Sequence, residues 1–383
     1  MIHVAYITAE YPHISLPPAG GIGSFTKLMA TSLLENGCQV TVFLCLSNQN
    51  KVWYDEGIRI VELKGLAPSR WSPFINRIKI ARTIKNHITK DGIDIVEAPD
   101  WEGIHAFCDF KIPLVTRIHG SVTYFNNMQG FKKTRVLTYL EKRAIQNSNK
   151  VIAVSNFSGQ LTGKVFSFKD FSFETIYNGI DTKAFRPSSE KPTNDAGILY
   201  FGTLVRKKGV IALAHIFNEL HSLNPNTQLT LIGKDVVDSY KGSSTWELIK
   251  TKLTPSALGK VHYKGVMPYQ EMSNEISKSE ICVFPSFAEA FPISWLEAMA
   301  MEKPLVCSSI GWANETIEDR QSGLLEHPKN YKEFAHKINS LLIDKKAATQ
   351  LGKNARKRVI TLFDQSKLVK ENIEMYKGIL RDE

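Results

Sequence analysis

Residues 281–301 read ICVFPSFAEAFPISWLEAMAM and combine a strand, a turn and the start of a helix. The apolar run at residues 281–284 predicts a buried strand. Pro292 predicts the first turn of a helix, where its missing N–H costs no hydrogen bond. The amides of Ile293 and Ser294 would then lack helical partners at the positive end of the helix dipole. This helix end is therefore predicted to bind an anion, above all a phosphate.

Two carboxylates bracket this predicted anion site. Glu289 lies on the loop before the helix, and Glu297 lies inside the helix. Carboxylates do not bind phosphate, but they accept hydrogen bonds from the hydroxyl groups of sugars. A nucleotide sugar carries a sugar on each side of its diphosphate. The stretch therefore predicts a nucleotide-sugar site in which Phe291, Pro292 and Ile293 lie against the diphosphate. The alternative is that both glutamates are solvated residues at the edge of a helix.

The same residues resemble a family signature. Glu289 and Glu297, with seven residues between them and Ala298-Met299-Ala300 after them, resemble the signature of the retaining glycosyltransferases of family 4. The segments KPLV at 303–306 and GLL at 323–325 also fit. The resemblance implies that Glu289 touches the transferred sugar and that Glu297 binds the ribose.

Composition sets broader limits on the protein class. The chain has 383 residues, enough for two domains with separate cores. It contains 43% hydrophobic and 22% charged residues, no apolar run of membrane-span length and no signal peptide, so a cytoplasmic protein is expected. The five cysteines form no C-x-x-C pair, which argues against a zinc site and a disulfide framework. The formal net charge of +10 predicts phosphate-bearing small molecules, anionic lipid or nucleic acid as partners, without choosing among them.

The second half of the chain alternates between predicted strands and helices, which indicates a parallel sheet. Its first strand is followed by Gly202 and then by three consecutive cations, Arg206, Lys207 and Lys208. Such cations suit a departing diphosphate, although a charge run is also typical of solvated surface. Lys208 matches the lysine of family 4. Thr203 stands where many members have arginine, and whether Arg206 or Lys207 replaces that arginine stays open.

The first half begins with a strand, a glycine-rich loop containing Gly20 and Gly21, and a helix predicted from Phe25. Glycine lets the backbone approach a phosphate, but the third glycine of the dinucleotide fingerprint is missing. The loop resembles the first loop of family 4, which faces the diphosphate. A plain flexible turn is the alternative.

Polar residues follow two later strands of the first half. Asp100 and Glu102 follow the strand predicted at 93–97 and could contact an acceptor hydroxyl. His119 follows the strand predicted at 114–118 and matches a family position that lies against the transferred sugar. Ligands bind beyond the carboxyl ends of parallel strands, which places all three residues in the predicted site.

The segment between Glu62 and Asp91 contains no acidic residue. Its cations alternate with aromatic residues and isoleucines, a pattern typical of a helix that lies on an anionic bilayer. The alternative is a helix that buries its isoleucines on the sheet and leaves its cations in solvent. The residues concerned are Lys64, Arg70, Trp71, Phe74, Ile75, Arg77, Ile78, Lys79, Ile80, Arg82, Ile84, Lys85, Ile88 and Lys90.

Together these observations predict an α/β protein of the GT-B fold, with two facing, doubly wound, Rossmann-like domains. Residues 1–181 are predicted to form the acceptor-side domain, 182–196 a linker and 197–363 the nucleotide-sugar domain. The helix at 364–380 is predicted to cross back to the first domain. The resemblance to family 4 implies a hexosyltransferase that retains the anomeric configuration of its donor, a UDP- or GDP-sugar. We expect it to need no metal and no cofactor besides this donor substrate.

The predicted acceptor is a glycan or a lipid-linked glycan in polysaccharide or glycolipid biosynthesis, and the predicted location is the cytoplasm, peripheral at the inner membrane face. Catalysis is assigned to Glu289, His119, Lys208 and Arg206. Nucleic acid is not an expected partner. Two alternatives are a sugar-nucleotide epimerase of the same fold and a basic nucleic-acid-binding protein.

Overall fold

The computed structural model describes residues 1–66, 69, 71–187 and 197–381. The chain forms two compact units. Unit 1 comprises Met1–Asn178 together with Gln365–Glu383, and unit 2 comprises Gly179–Asp364. Of the predicted linker, residues 188–196 lie outside the described part of the chain.

Unit 1 is built on an eight-stranded sheet in the order β3-β4-β2-β1-β5-β6-β7-β8. β1 is buried along its whole length, as expected for a central strand with helices on both faces. All neighbouring strands are parallel except β3 and β4. The strands are β1 His3–Thr8, β2 Gln39–Ser47, β3 Lys51–Asp55, β4 Ile58–Lys64, β5 Ile95–Pro99, β6 Leu114–Ile118, β7 Lys150–Ala153 and β8 Glu174–Thr175.

Five helices of unit 1 connect these strands, and the last helix of the chain packs against the first. These helices are α1 Gly21–Glu35, α2 Ser72–Asp91, α3 Val122–Gln129, α4 Arg135–Gln146, α5 Asn156–Phe166 and α14 Gln365–Arg381. α14 is held by buried polar side chains: the Tyr376 hydroxyl lies 2.7 Å from Glu97 Oε2 and 2.9 Å from the Tyr6 hydroxyl. The C-terminal helix therefore belongs to unit 1.

Unit 2 contains a six-stranded sheet in the order β11-β10-β9-β12-β13-β14, with every pair parallel. The strands are β9 Ile198–Phe201, β10 Leu229–Ile232, β11 Val261–Tyr263, β12 Ile281–Phe284, β13 Leu305–Ser308 and β14 Leu324–Glu326. The helices are α6 Val210–Leu223, α7 Thr245–Lys250, α8 Pro255–Leu258, α9 Met272–Lys278, α10 Ile293–Ala300, α11 Ala313–Thr316, α12 Tyr331–Ile343 and α13 Lys345–Leu362. Both units are thus doubly wound, and the predicted α/β fold class is confirmed.

Two local features differ from the expectations. The first helix begins at Gly21, four residues earlier than predicted, so its glycines belong to the helix start. β3 was not expected; it forms a hairpin with β4 through Glu56 and Gly57, both at positive φ, as a two-residue hairpin loop requires. The C-terminal region contains three helices, α12, α13 and α14, and Asp344 caps α13 through the Ala347 amide.

The unit boundary lies at residue 178, whereas the sequence placed it at 181. The Ile180 amide donates to the Phe363 carbonyl oxygen at 2.9 Å, and the Thr182 hydroxyl donates to the Asp364 carboxylate. These contacts join residues 180–182 to the segment that precedes α14. Residues 179–187 therefore pack with unit 2 and not with the first sheet.

Candidate active site

The strand order of unit 2 brings two loops together. The chain proceeds outward from β9 through β10 to β11 on one side, and from β12 through β13 to β14 on the other. The neighbouring pair β9 and β12 is therefore the switch point, where ligands bind beyond the carboxyl ends of the strands. The loop after β9 carries the three cations, and the loop after β12 carries Glu289.

Backbone contacts lock these two loops against each other. The carbonyl oxygen of Lys207 accepts hydrogen bonds from the amides of Phe287 at 2.7 Å and Ala288 at 3.2 Å. Gly209 has φ +74°, and a Cβ there would lie 1.8 Å from the Pro285 carbonyl oxygen. Only glycine allows the loops to approach this closely.

The close approach brings Lys208 and Glu289 together. Lys208 Nζ lies 3.3 Å from Glu289 Oε1, which also accepts a hydrogen bond from the Ser286 hydroxyl at 3.1 Å. Glu289 is buried, with 8% of its surface exposed. Gly202 lies beside the cation, since a Cβ on Gly202 would be 3.6 Å from Lys208 Nζ. A buried carboxylate and a partly exposed cation thus share one end of the sheet.

Glu297 lies on α10 and is buried. Burial raises the pKa of its carboxyl group to about 7, while a hydrogen bond from Tyr269 and the charge of Lys208 act in the opposite direction. The Tyr269 ring packs against Phe185 at 5.5 Å between centroids. Sequence reasoning missed Tyr269, because no local pattern links it to a helix 24 residues later.

The other two cations have different surroundings. Arg206 makes a bidentate ion pair with Asp238, with Nε 2.8 Å from Oδ2 and Nη2 3.0 Å from Oδ1, and its guanidinium lies over the Tyr240 ring. Burial lowers the pKa of Lys207 to about 8; Lys208 acts in the same direction and Glu289 against it. Lys207 therefore interacts with the site charges, whereas Arg206 is committed to Asp238.

The start of α10 keeps the geometry expected of an anion site. Pro292 is the N-cap residue, so the helix begins one residue later than predicted, at Ile293. Within the described residues, the amides of Ile293 and Ser294 have no hydrogen-bond acceptor. The Phe291 side chain is buried and packs against Phe363 at 5.4 Å between ring centroids. A contact from Phe291 to a ligand would therefore come from its backbone.

In unit 1 the glycine-rich loop is already bound to a carboxylate. Glu10 Oε2 accepts from the Gly20 amide at 2.9 Å, and Oε1 accepts from the Gly23 amide at 2.7 Å. A diphosphate at Gly20 and Gly21 would have to compete with Glu10. Glu10 was not predicted as a site residue, although it lies shortly after β1, at the edge of the sheet where residues face ligands.

His119 lies at the same edge of the unit 1 sheet, after β6. Its ring packs against Phe25 at 4.7 Å between centroids, and its amide donates to Asp100 Oδ1 at 2.9 Å. Burial lowers the pKa of His119 to about 3, with the charge of Arg117 adding to the effect. The imidazole is therefore neutral near pH 7 and can donate a hydrogen bond to a hydroxyl group or accept one from it.

Helix α2 has features of both predicted helices, the one that packs on the sheet and the one that lies on an anionic bilayer. Ile80 and Ile84 belong to the hydrophobic core under the sheet, as the alternative interpretation expected. At the start of the helix, however, Trp71 is 62% exposed, Ile75 48% and Ile78 39%. The exposed apolar residues therefore cluster at one end of the helix.

The cations of this segment also differ in exposure: some are exposed and one is buried. Lys79, Arg82 and Lys85 are exposed. The expectation that Arg77 is a surface cation is wrong: it is 5% exposed and donates to backbone oxygens. Arg70 lies outside the described residues.

In residues 1–66, 69, 71–187 and 197–381, no three His, Cys, Asp or Glu side chains are grouped so that they could hold a metal ion. Among the helices of the same ranges, none combines the length and apolar character needed to cross a bilayer.

Two family descriptions match the chain in consecutive segments. "Glycosyltransferase Family 4" matches residues 19–184, and "Glycosyl transferases group 1" matches residues 181–358. The second match contains Lys208, Glu289 and Glu297, and the first contains His119.

Among curated proteins, the chain is 24% identical over 411 aligned residues to a glycogen synthase of Mycobacterium tuberculosis, which covers 100% of this chain and 96% of that protein. It is 26% identical over 265 residues to an alpha-maltose-1-phosphate synthase of Mycolicibacterium smegmatis, covering 64% of this chain and 67% of that protein.

Solved structures show the same fold. Sucrose-phosphate synthase from Thermosynechococcus elongatus matches with a TM-score of 0.82 and 21% identity over 100% of both chains. Anabaena HepE, solved in complex with UDP and glucose, matches with a TM-score of 0.76 and 16% identity over 99% of this chain and 100% of that one. These likenesses confirm the predicted GT-B fold.

Proposed function

The chain belongs to family 4 of the glycosyltransferases, and on that premise we propose that it transfers a hexosyl group from a UDP- or GDP-sugar to a glycan or lipid-linked acceptor. The transfer retains the configuration of the anomeric carbon and needs no metal ion. The observation that carries this proposal is the contact of Lys208 with Glu289 at the switch point of unit 2, 3.3 Å between Nζ and Oε1.

The chemistry follows from the groups that surround this contact. When the bond between the anomeric carbon and the diphosphate breaks, negative charge grows on the departing oxygen. Lys208 and the free amides at the start of α10 stabilise that charge. The acceptor oxygen attacks from the same face, and its proton passes to the departing diphosphate. Glu289 accepts a hydrogen bond from a hydroxyl of the transferred sugar, and Glu297 accepts one from the ribose.

The relatives suggest where to begin the search for substrates. The curated relatives are named as synthases of glycogen and of maltose 1-phosphate, and one structural neighbour was solved with UDP and glucose. UDP-glucose is therefore the first donor to test, with maltooligosaccharides and octyl glycosides as acceptors. Family membership also argues against the nucleic-acid-binding alternative, and a requirement for an acceptor separates transfer from epimerisation.

The test is incubation of the full chain with a panel of UDP- and GDP-sugars and these acceptors in the presence of EDTA. One donor class should release its nucleoside diphosphate, and the new glycosidic bond should have the anomeric configuration of the donor. Anomeric configuration is measured by proton NMR of the product. An inverted product, or activity that returns only on addition of a divalent metal, would contradict the proposal.

We also propose that the enzyme binds an anionic membrane surface through the start of α2. Trp71, Ile75 and Ile78 supply exposed apolar surface, and Lys79, Arg82 and Lys85 supply positive charge beside it. Each cation near an anionic surface contributes about 1 kcal/mol, enough for reversible recruitment when several act together. A membrane-bound glycan would be the acceptor that this arrangement suits.

Vesicle co-sedimentation measures this binding. The chain should sediment with vesicles of anionic lipid at low salt, and high salt should release it by screening. Changing Lys79, Arg82 and Lys85 together to Glu should abolish sedimentation. A matched control changes three exposed lysines of α13, Lys346, Lys353 and Lys357, to Glu, which alters the net charge equally. Equal loss in both triple variants, or no preference for anionic lipid, would favour a soluble acceptor.

A further inference from the structure

The turn after β5 has a constrained backbone. We call residues 100–103 the exit turn. Glu102 has φ +55° and Gly103 has φ +57°, both in the left-handed region. Side-chain-bearing residues avoid this region unless their surroundings hold them there. A Cβ on Gly103 would lie 2.4 Å from the Leu140 carbonyl, so α4 packs directly on the turn.

Two buried charged side chains bind the backbone on either side of Glu102. Glu141 is fully buried, and its Oε1 accepts from the Glu102 amide at 3.1 Å. Arg77, on α2, donates from Nε to the Gly103 carbonyl oxygen at 2.9 Å and from Nη2 to the carbonyl oxygen of Glu102. Hydrogen bonds to charged groups are the stronger kind, and burial strengthens them further. The exit turn is therefore held from two helices.

The same carboxylate also binds the next strand exit. Glu141 accepts from the amides of Val122 at 2.9 Å and Thr123 at 3.0 Å, at the start of α3. Asp100 accepts from the His119 amide. The exit turn and the loop that carries His119 are thus fixed relative to each other within unit 1.

The exit turn lies at the switch point of the unit 1 sheet. β1 and β5 are neighbours, and the chain proceeds away from this pair in opposite directions, through β2 and through β6. Ligands of doubly wound sheets bind beyond the carboxyl ends of such a pair. The position therefore corresponds in unit 1 to the Lys208–Glu289 position in unit 2.

The side chains of the exit turn suit a sugar. Glu102 is half-buried, and within the described ranges its carboxylate makes no hydrogen bond or ion pair. The half-buried Trp101 ring lies beside it in sequence and contacts Phe125 at 6.3 Å between centroids. Asp100 is fully buried, and its Oδ2 has no hydrogen-bond partner in the same ranges. Carboxylate oxygens accept from hydroxyl groups, and an aromatic ring offers an apolar surface next to them.

We propose that Glu102 binds a hydroxyl group of the acceptor glycan and that Arg77 and Glu141 are positioning residues that hold Glu102 for this contact. This inference rests on the proposed glycosyltransferase function and specifies its acceptor site. The proposed donor site consists of Glu289, Glu297 and Lys208. Changes at the exit turn should therefore alter the KM for the acceptor and leave the KM for the donor unchanged.

The experiment uses the full chain and the panel member, an octyl glycoside or a maltooligosaccharide, that receives sugar fastest. Glu102→Gln should raise the KM for this acceptor roughly tenfold, because the amide oxygen of glutamine still accepts a hydrogen bond but lacks the charge that strengthens it. The donor KM should not change. Glu35→Gln is the matched control, since this exposed glutamate lies at the opposite end of α1 from the site.

Positioning is tested by a double-mutant cycle. Glu141→Gln and Arg77→Lys should each raise the acceptor KM alone, but neither should raise it further when combined with Glu102→Gln. Circular dichroism melting identifies any variant that fails to fold. If Glu141→Gln fails to fold, Arg77→Lys still tests the positioning of Glu102. Additive effects on KM would overturn the positioning role.

The outcomes separate the inference from the proposed function. If the unchanged chain transfers sugar to no acceptor, the proposed function fails and this inference fails with it. If transfer proceeds but Glu102→Gln leaves the acceptor KM within about twofold of the unchanged chain, the inference alone is wrong.

Discussion

Replacing Lys208 with alanine should lower the turnover number roughly tenfold to a thousandfold, because it removes a preorganised positive charge from the developing diphosphate anion. The ammonium group lies 3.3 Å from Glu289 Oε1. Its side chain is 23% exposed, so it can turn toward a diphosphate. Steady-state kinetics with the best donor of the panel measures the loss, which should appear in kcat more than in the donor KM.

Two other variants make this prediction specific. Arg206→Ala should cost much less than Lys208→Ala, because the Arg206 guanidinium is already paired with Asp238. Glu297→Ala should raise the donor KM and leave kcat nearly unchanged, since the ribose does not react. Full activity of the Lys208→Ala enzyme would transfer the role to Lys207, the other cation that interacts with Glu289.

Replacing Arg117 with methionine should lower the free energy of unfolding by about 3–5 kcal/mol, the cost of leaving one partner of a buried ion pair uncompensated. Arg117 Nε lies 2.6 Å from Glu97 Oε1, and the side chains are 1% and 2% exposed. Glu97 also accepts from Tyr376, and Arg117 donates to Asn372, both on α14. Urea unfolding followed by circular dichroism measures the change. The attachment of α14 should loosen together with the core.

The control for this prediction is an exposed ion pair of the same sheet. Lys150 and Glu174 lie 2.8 Å apart, with side chains 38% and 46% exposed. Lys150→Met should change the free energy of unfolding by less than about 1 kcal/mol, because solvent screens the pair. If Arg117→Met shifts the urea midpoint no more than Lys150→Met does, the buried network contributes little to the attachment of α14.

Much of the fold could be predicted because its signals are local. Apolar runs of strand length, such as Ile281–Phe284, are buried strands in the structure. β3 escaped prediction because it is an edge strand whose exposed side chains lack the buried apolar pattern. The start of α1 at Gly21 was misplaced because two glycines disfavour a helix in sequence, while Glu10 binds the amides at that end.

Part of the candidate site could also be predicted from the sequence. Lys208 and Glu289 were both named from motifs, and the structure brings them together because the strands that precede them are neighbours. Which charged side chains are buried and which are exposed could not be predicted. Arg77 follows the same basic pattern as Lys79 and Arg82, yet Arg77 is buried and the other two are exposed.

The sequence by itself determined the class of the protein: two doubly wound units, the motifs at the strand exits and the family to which they belong. These features depend on residues close together in the chain, so spacing and periodicity reveal them. Only the tertiary structure decided what each charged side chain binds. Arg206 pairs with the Asp238 carboxylate, Arg77 and Glu141 bind the backbone of Glu102, and Glu10 accepts from the backbone amide of Gly20. The reason is that burial and partnership of a charge depend on chain segments that folding brings together from a distance, and these have no local pattern in the sequence.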